Sequence, residues 1–111
     1  MKIDCQQAGD IAVVHPSGPL AGDDVDRFRA ELSTLVRDGQ GRVVLDASAI
    51  PYADSKGLEA LLDATDLSTE VASPLKIVSC TDSLGEALDI MEISAAFEHF
   101  DDLDSALRSF A

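Results

Sequence analysis

The residues best placed to do chemistry lie in one stretch, Ala53-Asp54-Ser55-Lys56-Gly57-Leu58. A serine hydroxyl there follows a strand-like run and a loop, and stands in the first turn of a predicted helix. Three chemistries fit that placement. In the first, Asp54 or Ser55 caps the helix, and Gly57 permits close packing of its first turn. In the second, Ser55-Lys56-Gly57 supplies the S-x-G half of a nucleophile elbow, although Ala53 stands where the first glycine belongs and the only downstream histidine is His99. In the third, Ser55 accepts a phosphoryl group from a partner kinase, which requires no local base. A phosphate at a helix N-terminus meets free N–H groups and the positive end of the dipole, and beside Asp54 it makes a dense negative spot. The fold survives such a modification while an interface changes sign, as a binding switch requires.

The other chemistry-bearing residues point elsewhere. His15 and His99 are distant in sequence, and neither has a ligand-type neighbour at metal spacing. The acidic triples Asp23-Asp24-Asp26 and Asp101-Asp102-Asp104 lack the D-x-D-x-D-G pattern and the twelfth-position Glu of a calcium loop. Each triple sits at a predicted helix start, where acids favour the dipole. No metal site is expected. None of the seven glycines stands in a dinucleotide or ATP phosphate-loop motif, so no cofactor of that kind is expected either.

Around these residues the hydrophobic pattern predicts the elements that must position them. Lys2-Ile3-Asp4-Cys5-Gln6 alternates with period two, Ala8-Gly9-Asp10 turns, and Ile11-Ala12-Val13-Val14 reads as a short buried strand. Ser17-Gly18-Pro19 breaks that run. A helix then starts at Asp23 and Asp24, as N-cap and first-turn acid, and buries Val25, Phe28, Leu32, Leu35 and Val36. Asp38-Gly39-Gln40-Gly41 ends it, and Val43-Val44-Leu45 is a buried strand ending at Asp46. The helix after the serine segment is expected over about 55–66, with Leu58, Leu61, Leu62 and Thr65 inward and residues 68–74 as a linker. Leu75-Lys76-Ile77-Val78 is a strand, and Thr81-Asp82-Ser83 caps a helix with Leu84, Ala87, Leu88 and Met91 inward. Residues 97–100 form a last strand. A final helix from Asp101 or Asp102 buries Leu103, Ala106, Leu107 and Phe110.

The order β-β-α-β-α-β-α-β-α implies an α/β fold, a mostly parallel sheet with one antiparallel edge strand, packed with helices. A length of 111 residues suits one domain over 1–111, and 46% hydrophobic residues suffice for a core. Eight Lys and Arg against 21 Asp and Glu give a formal charge of −13. That balance argues against nucleic acid and anionic membrane surfaces, which recruit basic patches. The longest uncharged stretch, residues 11–22, is interrupted by His15, Pro16, Ser17 and Pro19, and a span needs about 20 apolar residues, so membrane insertion is not expected. No apolar signal-peptide core follows Lys2 and Asp4. Cys5 and Cys80 share no metal or redox spacing and lie in strand-like segments, where a free cysteine behaves as a small buried hydrophobe. A reducing, cytoplasmic setting is the expectation.

From Val43-Val44-Leu45-Asp46 through Asp54-Ser55-Lys56-Gly57-Leu58-Glu59-Ala60-Leu61-Leu62, the chain resembles the STAS domain of bacterial anti-sigma-factor antagonists. That family's mark is a strand, a short loop ending in an aromatic or apolar residue, then Asp-Ser-x-Gly-Leu opening a helix. Gly18-Pro19-Leu20 stands where the family has Gly-x-Leu, Lys76-Ile77-Val78 matches its next strand and Phe97-Glu98-His99-Phe100 its last. The resemblance implies a phosphorylation-switched interaction module, with no catalytic residue of its own. By the same resemblance Ser55 is phosphorylated by a serine kinase of the histidine-kinase-like ATPase type that doubles as an anti-sigma factor. The unphosphorylated form binds that kinase and frees the sigma factor, and a phosphatase resets the switch. The partner-facing residues it implies are Leu20, Asp23, Asp54, Ser55, Lys56 and Gly57. Two positions depart from the family: Ala21 stands where an Asp is common, and Lys56 replaces a small hydroxyl residue whose charge could partly offset a phosphate. The alternatives are a STAS subunit docking on the ATPase of a membrane transport system and, more remotely, a small serine hydrolase.

Overall fold

A computed structural model describes residues 1–110. Among these residues the elements run β1 (Lys2–Ala8), β2 (Ile11–Ser17), α1 (Asp24–Asp38), β3 (Val43–Asp46), α2 (Ser55–Val71), β4 (Lys76–Val78), α3 (Asp82–Ile90), β5 (Glu98–Phe100) and α4 (Leu103–Arg108). The sheet order is β1-β2-β3-β4-β5. β1 and β2 are antiparallel and every later pairing is parallel. The expected α/β order and mixed sheet are therefore what the chain forms.

Because strand order follows chain order, each right-handed crossover moves the same way and leaves its helix on the same face. The burial pattern shows this by alternation along single strands. Val43 and Leu45 join the main core with Val25, Phe28 and Leu32 of α1, Leu58 and Leu61 of α2, and Leu84 and Leu88 of α3. Val44, between them, points the other way and joins Ile11, Val78 and Ala106 of α4. Both faces of the central strands are covered, so those strands read as continuous apolar runs. On the α4 side lies Lys76, 5% exposed. Its Nζ donates to Glu98 Oε2 at 2.7 Å and sits 4.8 Å from the Phe110 ring centroid. Pairing and an aromatic face make burial of that ammonium tolerable.

Five local expectations are corrected. β2 continues through Pro16 to Ser17, because β3 pairs only with Ala12–Val14 and no neighbouring strand asks for the missing proline N–H. α2 runs to Val71, taking in half of the expected linker. Its polar residues there serve the fold: Thr65 Oγ1 donates to Ala96 O at 2.6 Å and accepts from Leu75 N at 3.0 Å, and Ser68 Oγ donates to Ser73 O at 2.7 Å. Met91 is the C-cap of α3 and is 49% exposed. Glu92 at φ +59 turns the chain so that Ile93 takes the inward place. Cys5 is exposed, because β1 is an edge strand with a solvated side, and Cys80 is half-buried just beyond β4. Asp23 is the N-cap residue of α1 by position but makes no side-chain cap bond. Its neighbour Asp24 instead accepts from the Met1 amine at 2.9 Å.

Candidate functional site

The β3–α2 loop is tied on both flanks before it delivers Ser55. On one flank, Leu20 forms a parallel bridge with Ala53: Leu20 N donates to Tyr52 O at 3.0 Å and Asp54 N donates to Leu20 O at 3.1 Å. On the other, Thr81 at the start of α3 donates its hydroxyl to Ile50 O at 2.8 Å. Within the loop, Asp46 Oδ1 accepts from Ser48 N at 3.0 Å.

Of the two capping candidates, Asp54 takes the role. Its backbone is extended, and Oδ1 accepts from Gly57 N at 2.7 Å. Oδ2 accepts from Gly22 N at 3.0 Å, in the β2–α1 loop. These N–H groups, Gly22 first and Gly57 second, hold the Asp54 carboxyl below the usual carboxylate range, and Lys56 adds to this against a smaller desolvation effect. Gly57 is needed for closeness: a Cβ there would lie 2.2 Å from Leu20 O. So α2 begins with its first turn pressed on the Leu20 peptide.

With the cap supplied by Asp54, Ser55 is free of that duty. It is the first residue of α2 and is exposed. Asp23 and Lys56 are also exposed, and Asp54 is half-buried. Leu20 and Gly57 are buried, so they present no side chain to a partner and act by positioning the loop and helix. Lys56 reaches across to α1, its Nζ 3.2 Å from Asp26 Oδ1. Arg29 of α1 also pairs with Asp63 of α2. Gly22, Asp26, Tyr52 (52% exposed) and Thr81 complete the local framework and were absent from the sequence-based set. Asp26 carried a usable signal, being exposed on the first turn of a helix of which Val25 and Phe28 form the buried face. Gly22 and Thr81 carried none, since their contacts span loops distant in sequence.

An exposed hydroxyl at the first position of a helix is suited to receiving a group from an external donor. The downstream histidine required by a hydrolase is engaged elsewhere: His99 Nε2 lies 2.8 Å from Ser94 O and 3.2 Å from Ser94 Oγ. The acidic triples are divided among local duties. Asp24 meets the Met1 amine, Asp26 meets Lys56, and Asp102 Oδ1 accepts from Ser105 N at 2.8 Å as the cap of α4.

The STAS domain family model matches residues 2–106. The chain belongs to the STAS domain family. No curated protein sequence matches it. Among solved structures, this STAS domain is similar to an anti-sigma factor antagonist from Mycobacterium paratuberculosis, with a TM-score of 0.85 and 18% identity over 97% of this chain and 92% of that one. It is also similar to the Bacillus cell fate determinant SpoIIAA in its phosphorylated form, with a TM-score of 0.72 and 15% identity over 99% of this chain and 100% of that one. A third likeness is to the murine Solute Carrier 26 family member A9 anion transporter, with a TM-score of 0.76 and 15% identity, covering 94% of this chain and 18% of the transporter. Among the described residues of this STAS domain, no helix is long and apolar enough to cross a membrane.

Proposed function

We propose that this STAS domain is an anti-sigma-factor antagonist, an interaction module without catalysis of its own, switched by phosphorylation of Ser55. Unphosphorylated, it binds an anti-sigma factor that is also a serine kinase of the histidine-kinase-like ATPase type. Phosphorylated, it lets go, and a phosphatase resets it. The cytoplasm is where such partners would meet it. The observation that carries this reading is the division of labour at the start of α2: Asp54 supplies the cap, and Ser55 stands exposed beside it with no part in the cap. Likeness in fold to anti-sigma factor antagonists supports the same reading. Asp23, Asp54, Ser55 and Lys56 form the surface that a partner would touch, over the supporting Leu20 and Gly57.

The test is phosphorylation in vitro. The protein is incubated with the cognate kinase and ATP, and intact mass with peptide mapping locates the phosphate. A single phosphate on Ser55 is expected. A main site at another residue, or no uptake from a kinase that binds, refutes the proposal.

The fold match to an anion transporter favours one second reading, a STAS subunit docked on a transport system. Partner capture separates the two: a histidine-kinase-like ATPase supports sigma regulation, and a transport ATPase supports docking.

A further inference from the structure

The sheet has two outer edges, and they are treated differently. β5 is three residues long, the short edge by which proteins limit strand addition. β1 is seven residues long and has only β2 beside it. Its pairing with β2 is unbroken from Lys2 opposite Ser17 to Ala8 opposite Ile11, so no bulge turns the edge away, and it contains no proline. Lys2 and Asp4 are its only charges and cancel, in a chain of −13. The edge is thus a neutral strip on a strongly acidic molecule. Alongside it runs an open groove of about 380 Å³ between β1 and α1, lined by Cys5, Ala30, Glu31, Thr34 and Leu35. A free strand edge beside side-chain pockets is the arrangement used for strand addition, in which main-chain bonds give affinity and pockets give fit.

We propose that the β1 edge is a self-association surface, occupied by β1 of a second copy in antiparallel alignment about Cys5. The sequence of β1 selects the second copy as occupant and selects this register. With Cys5 opposite Cys5 of the second copy, all seven residues overlap, Asp4 faces Gln6, and Lys2 faces Ala8. No like charges oppose one another. Centring on Asp4 instead sets two carboxylates directly opposite, which destabilises a strand pair. The strand pair alone is smaller than a stable interface, so the groove on the helix side contributes and association is concentration-dependent. Both copies are acidic, and added salt screens their repulsion and strengthens the dimer.

Sedimentation of the full chain from micromolar to millimolar concentration tests this. The apparent mass should rise from 11.7 kDa toward twice that value, and further in high salt. In a Cys80→Ser background, a short bis-maleimide should join two copies through Cys5, since directly opposed Cβ atoms lie about 4.5–5.5 Å apart. Cys5→Lys sets two ammonium groups opposite each other at an exposed position and should abolish the dimer while leaving the melt unchanged. A monomer throughout the range, a dimer untouched by Cys5→Lys, or no linkage at Cys5 each overturns the proposal. Capture of an extended peptide by a chain that stays monomeric overturns it too.

Discussion

Asp54 bonds to Gly22 across 32 residues of sequence: its Oδ2 accepts the Gly22 N–H at 3.0 Å while Oδ1 caps α2. One carboxylate therefore fixes the start of the helix that bears Ser55 and the loop that leads into α1. Removing it should loosen both. Asp54→Ala is expected to lower the melting temperature, and Asp54→Asn, which keeps an acceptor for Gly57, to lower it less.

The same contacts set a pH dependence. The folded Asp54 carboxyl titrates below its ordinary value of 3.8, held there mainly by the Gly22 and Gly57 N–H groups. Folding thus favours its ionised form. That contribution is complete above the unfolded value and is lost as pH falls through the lower folded value. Acid unfolding followed by circular dichroism should be shallower below pH 4 in Asp54→Asn than in the parent. Asp24 and Asp102, also lowered by the Met1 amine and by Ser105 respectively, account for the slope that remains. Identical acid slopes in parent and variant would contradict this account.

Two glycines in helices should respond to alanine with opposite signs. At Gly57 the new Cβ meets Leu20 O at 2.2 Å, a backbone atom inside the bridge that holds the loop. Gly57→Ala should cost about 1–3 kcal/mol, the range for overpacking. At Gly85 in α3 nothing lies within 4 Å of an added Cβ. Gly85→Ala should stabilise by about 0.5–1 kcal/mol through helix propensity. Urea titrations of both variants decide the matter, and equal effects would mean that the close approach to Leu20 is unimportant.

The fold was legible where one local signal acted alone. The alternation Val43-Val44-Leu45 fixed a two-sided strand, and the spacing of Val25, Phe28, Leu32 and Val36 fixed the inner face of α1. It was illegible where a distant partner reassigned a residue. Thr65 and Ser68 look like linker chemistry, yet their hydroxyls satisfy backbone groups of the neighbouring chain, and α2 runs on. Leu20 looks like an exposed motif residue and is fully buried, because Gly57 lets α2 close over it. The position of Ser55 could be read from Asp54-Ser55 before a helical run. That Asp54 and not Ser55 caps the helix depended on the Gly22 N–H, which no spacing reveals.

The two thiols should react at very different rates. Cys5 is exposed on the edge strand. Burial pushes the Cys80 thiol up to about 11, so at pH 8 little thiolate forms there. Alkylation with iodoacetamide followed by peptide mapping should label Cys5 first and leave Cys80 largely unmodified until the protein unfolds. Equal rates in the native protein would mean that Cys80 is more open than its packing against the core indicates.

Charge at position 55 should decide partner binding. Ser55→Ala removes a hydroxyl that makes no cap, so the fold should survive with a loss of about 1 kcal/mol at most. It should also bind the unphosphorylated-state partner as the parent does. Ser55→Asp and Ser55→Glu add a carboxylate next to Asp54, and burying an unpaired charge in an interface costs several kcal/mol. Lys56 is the one nearby cation that could offset it, but its ammonium lies 3.2 Å from Asp26 on α1, and adjacent residues do not face each other on a helix. Were it to swing back, an exposed pair contributes only about 0–1 kcal/mol. Repulsion and desolvation therefore win, and the acidic variants should bind far more weakly in titration calorimetry. Lys56→Ala in the acidic background should change that loss little. If Ser55→Asp binds as tightly as Ser55→Ala, position 55 carries no charge switch, and constitutive docking becomes the better account of this face.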